Sequence, residues 1–308
     1  MLARKLYLAL LLLSLIWGGS FFFIKILLQD FGPWTVAFLR SGFGLVTLVI
    51  IMLALKKPFQ LRSIPWLSMA LMALVNTAIP WAIIGFSETR LTSSMASVLN
   101  ATTPLWTLIV GVLFFHTAAA KRQWFGMGIA FVGMIVLLGV NPSSIVSVDL
   151  LGFVCMLSAT LCYAVGSHWS KRLGSGLSMY QITFGTLISA MIGSGIMAFS
   201  TEGVSLTPLA SLPTLGALIG LGVFGSGIAY ILFYFLIQKG SPQLATTVTY
   251  LVPATAIIWG FTLLHEPVSW RLLAGLVFIL GGVYLANKTS TRPAGKETNL
   301  EAEAEASL

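Results

Sequence analysis

The chain of 308 residues carries 17 Lys+Arg and 9 Asp+Glu, 8% charged, against roughly 25% in a soluble globular domain. With 57% hydrophobic residues and a mean hydropathy of +0.95, it has more apolar surface than one core of this size can hide, which excludes a water-soluble fold. The net charge of +8 sits in short pairs between apolar runs rather than on one stripe, so nucleic acid is not the expected partner; the lipid bilayer is.

Apolar windows of about 20 residues predict ten helices, at about 6–28, 34–55, 64–86, 91–115, 122–140, 149–170, 178–199, 212–236, 242–264 and 270–287. The runs are continuous, whereas the strands of a membrane barrel alternate over about ten residues, so the expected class is an all-α membrane protein with ten transmembrane helices. The first run follows Arg4 and Lys5 and has a counterpart in mid-chain, so it reads as a retained helix rather than a cleaved signal. Cys155 and Cys162 lie seven apart in one apolar stretch without metal-ligand companions, which fits packing. Residues 288–308 end in a Glu-Ala alternation without an apolar face and read as a disordered cytoplasmic tail.

With a cytoplasmic N-terminus, thirteen basic residues fall in inside loops or tails: Arg4, Lys5, Lys56, Lys57, Arg62, Lys121, Arg122, Lys171, Arg172, Lys239, Lys288, Arg292 and Lys296. Four fall toward the outside: Lys25, Arg40, Arg90 and Arg271. This is the positive-inside asymmetry, and it requires an even number of spans with both termini cytoplasmic; the expected location is a bacterial inner membrane.

Shifting the chain by 146 positions puts Trp17 on Tyr163 and Lys25 on Lys171. A shift of 149 puts Ala96 on Ala245, Pro104 on Pro253, His116 on His265, Arg122 on Arg271, Gly126 on Gly275 and Gly133 on Gly282. A near-constant offset predicts two five-helix repeats, 1–145 and 146–287. Five is odd, so the second repeat enters the membrane from the opposite side, an inverted arrangement that transporters use to rock two halves about a midplane site.

Trp17-Gly18-Gly19-Ser20-Phe21, Arg40, Ser93-Ser94-Met95-Ala96 with Pro104, and Ser241-Pro242 with Ala245, Pro253 and Glu266-Pro267 resemble the signatures of the drug/metabolite transporter superfamily, in its EamA-type branch. The resemblance implies a ten-helix exporter or exchanger of small metabolites, with helices 1, 3, 4, 6, 8 and 9 around a cavity and helices 5 and 10 peripheral. The family often has Glu just after the fourth helix; here Thr117 stands opposite Glu266, which departs from a symmetric role for that acid.

Pro104 and Pro253 sit inside helices 4 and 9 and free the carbonyls of Asn100 and Thr249, which in lipid must face protein or a water-filled cavity. Asn100, Thr103, Thr246, Thr249 and Tyr250 are therefore expected substrate contacts, with kinks satisfied by Thr or Ser neighbours as the plain alternative. Trp17, Tyr163, Trp81 and Tyr230 lie deep in their helices and suit cavity walls or core packing; Ser20 and Asn76 suit substrate contact or interhelical hydrogen bonding. Arg40 either snorkels, pairs, or meets an anionic substrate group, and His168 either satisfies itself at the interface or binds a coupling proton. Asp30, Glu88, Asp149, Glu202 and Glu266 all fall at helix ends, which argues against a proton antiporter built on a buried acid.

Glycines crowd helices 5 and 10, for bundle packing or dimer contact, so the oligomeric state stays open. The sequence holds no H-E-x-x-H, Walker loop or Gly-x-Ser-x-Gly, so no catalytic residue, metal or cofactor is expected. The expected activity is secondary transport by alternating access, exporting or exchanging small metabolites such as amino acids. Multidrug or lipophilic-solute efflux and a non-transporting membrane sensor or scaffold are the alternatives.

Overall fold

A computed structural model describes residues 2–116, 119–139, 148–173, 176–239 and 248–287. Their regular structure is entirely helical. Numbered by span, the helices are α1 (Leu2–Leu27), α2 (Pro33–Ala54), α3 (Trp66–Glu88), α4 (Ser93–Asn100 and Thr103–Phe115), α5 (Lys121–Leu138), α6 (Leu150–Leu173), α7 (Met179–Thr201), α8 (Leu212–Leu218, Ile219–Ile228 and Ala229–Lys239), α9 (Val248–Leu263) and α10 (Trp270–Asn287). The first eight are long and apolar enough to cross a membrane; α9 and α10 are shorter apolar helices. At about 1.5 Å rise per residue, 20 residues match the roughly 30 Å hydrocarbon layer. Leu8, Leu11 and Leu15 of α1, Val46, Ile50 and Leu53 of α2, and Ile192, Ile196 and Phe199 of α7 face outward, as a lipid-solvated bundle requires.

The single helix expected over 91–115 is broken: Pro104 stands in the first turn of a second piece, and Ala101–Thr102 form the joint. Pro253, its counterpart, lies inside an unbroken helix. Two helices carry π segments, Leu74–Ala78 in α3 and Ile219–Ile228 in α8. The 149-residue offset places the first of these within the second. A π segment inserts an extra residue per turn and releases backbone carbonyls from the regular ladder, a feature concentrated at functional sites. The expected tail from 288 and residues 242–247 of the ninth predicted helix lie outside the described residues.

Helices α5 and α10 pack on each other through glycine. A Cβ on Gly126 would stand 2.5 Å from the Gly282 carbonyl oxygen, and one on Gly275 would stand 2.5 Å from Leu137 Cγ and 3.2 Å from the Gly133 carbonyl. The offset exchanges Gly126 with Gly275 and Gly133 with Gly282, so these two contacts are each other's images. Helices α1 and α9 close up in the same way, with Gly18 against Thr255, whose hydroxyl donates to the Ser14 carbonyl at 2.7 Å.

Five polar links between residues 2–139 and 148–287 lie at the end of the bundle that holds the α2 and α4 starts, while Gln181 joins the halves at the opposite end by donating to Ser63 Oγ at 2.8 Å. Glu202 caps the start of α2, accepting from the N–H groups of Trp34 and Thr35 and from the Thr35 hydroxyl, each at 2.8 Å. Glu266 does the same for α4, accepting from Ser93 N at 2.7 Å, Ser94 N at 3.0 Å and Ser94 Oγ at 2.6 Å. Carboxylates complement the positive end of a helix and satisfy N–H groups that have no partner within it. Thr214 donates to Asp30 at 2.6 Å, Ser87 to the Gly152 carbonyl at 2.8 Å, and Arg90 pairs with Asp149 at 3.1 Å.

Candidate functional site

Inside the bundle is a cavity of about 370 Å³, within the range of small-molecule sites. Its wall is built from α1, α2, α3, α4, α6, α8 and α9, and among the described residues none of α5 or α10 lines it. The six helices implied by the resemblance all take part, and α2 joins them through one side chain, Arg40.

Arg40 is 8% exposed, and its guanidinium lies 3.8 Å from the centroid of the Trp81 ring, a cation–π contact whose strength rises to about 2 kcal/mol on desolvation. Its Nε donates to Ser226 Oγ at 3.0 Å, and Ser226 in turn donates to the Leu221 carbonyl five residues back, inside the π segment of α8. The π register thus presents a hydroxyl acceptor to the buried cation. Among the described residues no carboxylate pairs with Arg40, and the phenols of Tyr163 and Tyr230 and the carboxyl of Glu88 are the titratable groups facing it. Snorkelling is therefore corrected: the guanidinium points into protein and forms part of the cavity wall.

Trp17, also on the wall, donates its indole N–H to the Gly225 carbonyl at 3.3 Å, another carbonyl of the π segment, and meets Tyr230 edge-on at 6.4 Å between centroids. Tyr163 comes from α6 and Asn76 from the π segment of α3; the close approach of Asn76 to α6 depends on Gly166, where a Cβ would stand 2.4 Å from Asn76 Oδ1. Ser20, Asn100, Thr103, Thr249 and both prolines complete the predicted set found on the wall.

Several expectations fare differently. The Asn100 carbonyl freed by Pro104 takes a hydrogen bond from the Thr103 hydroxyl at 2.7 Å, so the kink is satisfied locally rather than by a solute. The Asn100 side chain keeps its Oδ1 buried without a hydrogen-bond partner. Tyr250 turns away from the cavity and meets Tyr284 of α10 edge-on at 6.5 Å. His168 is off the wall as well, with Nε2 3.1 Å from the Thr107 carbonyl. Thr246 and Thr117 lie outside the described residues.

Sequence reasoning missed Ser97, Ile84, Val248 and Val252, all on the wall, and the supporting Ser226. Ser93, Ser97 and Asn100 occupy i, i+4 and i+7 of α4, one helix face, and each has a buried side-chain oxygen without a partner; that spacing was legible. The Lys25 ammonium donates to the carbonyls of Glu88 and of Leu91, the latter at 2.8 Å. Glu88 falls at a helix end, as the sequence places it, yet inside the protein. It is 0% exposed, because the start of α4, the start of α6 and Lys25 roof the end of α3.

Comparison with known proteins agrees with this architecture. The model of the EamA-like transporter family matches twice, over residues 4–139 and 150–288. The chain is 30% identical over 280 residues to the uncharacterized inner membrane transporter YedA of Escherichia coli K12, covering 88% of this chain and 87% of that protein. It is 22% identical over 276 residues to protein PecM of Dickeya dadantii, covering 89% and 90%. A solved crystal structure superposes with a TM-score of 0.63 at 16% identity, covering 92% of this chain and 96% of that one, a likeness of fold. The chain belongs to the EamA-like transporter family of the drug/metabolite transporter superfamily and is a multi-pass membrane transporter.

Proposed function

We propose that the protein moves small carboxylate-bearing metabolites, amino acids foremost, out of a bacterial cytoplasm across the inner membrane, with both termini cytoplasmic. The observation that carries this reading is Arg40: a cation in the cavity wall, backed by Trp81 and held by Ser226, with no salt bridge to a carboxylate among the described residues. Leaving an arginine at this depth costs on the order of 3 kcal/mol, which a bound carboxylate offsets through charge-assisted hydrogen bonds. The buried Asn100 Oδ1 supplies an acceptor for an amino group, and Trp17, Tyr163 and Tyr230 supply flat walls for the rest of the solute. A lipophilic cation would meet Arg40 as a like charge, which disfavours cationic-drug efflux.

Alternating access by two inverted repeats fits the exchanged contacts Gly126–Gly282 and Gly275–Gly133, the offset-related π segments and the two matches of the family model. The links at the Glu202 and Glu266 end are then the contacts that part when the cavity opens on that side. Overexpression in a bacterium challenged with toxic amino-acid analogues tests the reading: resistance to analogues with a free carboxyl is expected. Resistance confined to lipophilic drugs, or none that depends on Arg40, would contradict it.

A further inference from the structure

Five acids fall among the described residues, and four have partners: Asp30 accepts from Thr214, Asp149 from Gly152 N and Arg90, Glu202 from Trp34 and Thr35, and Glu266 from Ser93 and Ser94. Glu88 is the exception. It ends α3 fully buried, and neither of its carboxyl oxygens has a hydrogen-bond partner. The ammonium of Lys25 approaches, but directs two of its three donors to the backbone carbonyls of Glu88 and Leu91 and none to the carboxyl. Among the described residues, the ion pair present is Arg90–Asp149.

An ionised carboxylate in such surroundings costs several kcal/mol, whereas the neutral acid costs far less. We infer that Glu88 is a proton-binding site, loaded in the conformation described here, through which a proton gradient drives transport; the coupling role rests on the transporter reading above. Position supports the assignment. Ile84, one turn earlier on α3, lines the cavity, so Glu88 lies between the solute site and the end of the bundle where Glu202 and Glu266 join the two halves. Its charged neighbours are Lys25 from α1, Arg40 from α2 and Glu266 beyond α9.

When the halves part at that end, water reaches Glu88. The acid exchanges its proton with that side, the outside in the topology above, and closure expels the water and admits only the neutral form; the proton carried inward leaves when the cavity opens to the cytoplasm, and its inward passage drives solute out. Arg40 faces both Glu88 and the cavity, so the charge state at one site is felt at the other, and linkage between proton and solute is reciprocal.

Two readouts test this. Infrared spectra of the purified wild type in liposomes at neutral pH are expected to show the C=O stretch of a protonated carboxyl, lost in Glu88→Gln and kept in Glu202→Gln and Glu266→Gln. A wild-type spectrum without that band overturns the proposal even if the variant does not fold. In the same liposomes, with a pH dye inside, a pulse of mixed amino acids is expected to move protons in the wild type and in Asp149→Asn, and not in Glu88→Gln. Amino-acid exchange by a wild type lacking both the band and the proton movement would sink the proton site and leave the transport reading standing. A band present in a wild type that moves no amino acid would sink the substrate reading and leave the proton on Glu88. Solute movement that follows a sodium gradient and ignores pH would also overturn it.

Discussion

Arg40 of α2 lays its guanidinium 3.8 Å from the ring centroid of Trp81 on α3, in the wall of a cavity that no acidic side chain lines among the described residues. Lysine keeps the charge but not the planar fork or the stacking surface. Arg40→Lys is therefore expected to raise the half-saturation concentration for amino acids by roughly tenfold or more, the worth of one charge-assisted hydrogen bond at about 1.5–3 kcal/mol. Concentration-dependent flux in proteoliposomes checks this; unchanged saturation in Arg40→Lys would remove the residue from the site.

The caps at the α2 and α4 starts each join one half of the chain to the other. Glu266→Ala strips three acceptor contacts from Ser93 and Ser94 and is expected to lower stability by about 1–3 kcal/mol in thermal unfolding in detergent. Glu202→Ala should act in the same direction through Trp34 and Thr35. The functional corollary is a bundle that opens more readily at this end, read as faster labelling of a cysteine placed at Ser97.

Gly282 sits where a Cβ would come within 2.4 Å of the Gly126 carbonyl oxygen, a backbone atom that cannot swing aside. Gly282→Ala must part α5 and α10 and is expected to cost about 1–3 kcal/mol, as overpacking does elsewhere. Gly128, with open space around it, is the control: Gly128→Ala should be neutral or slightly stabilising because it favours helix.

Asp149 titrates below the ordinary carboxylate range, chiefly because the Gly152 N–H donates to it, with Arg90 adding a hydrogen bond and its charge. A group whose folded value is depressed contributes stability above its unfolded value, and that contribution fades as pH falls through the lowered folded value. The melting difference between wild type and Asp149→Asn should stay constant from about pH 8 to pH 5 and close only in stronger acid.

The ten apolar runs were legible because the bilayer imposes length and composition on each span separately. The cavity aromatics were legible because the offset pairs Trp17 with Tyr163 and Trp81 with Tyr230, and all four meet on one wall. Helix faces were not: adjacent residues point about 100° apart, so Thr249 lines the cavity while Tyr250 turns to α10. Nor was the Arg40–Ser226 bond, which joins residues 186 apart through a π register that sequence spacing does not announce. Glu88 escaped for a further reason. Its place at a helix end suggests water, and only the packing of α1, α4 and α6 over that end makes it buried.

The central claim, a carboxylate held by Arg40 during transport, is tested most directly by counterflow in proteoliposomes preloaded with a neutral amino acid, presenting outside either the same amino acid or its amide. The account predicts that the wild type accumulates the acid and not the amide, and that Arg40→Gln loses accumulation of the acid. Equal counterflow of acid and amide, or a preference for the acid that survives in Arg40→Gln, would contradict it.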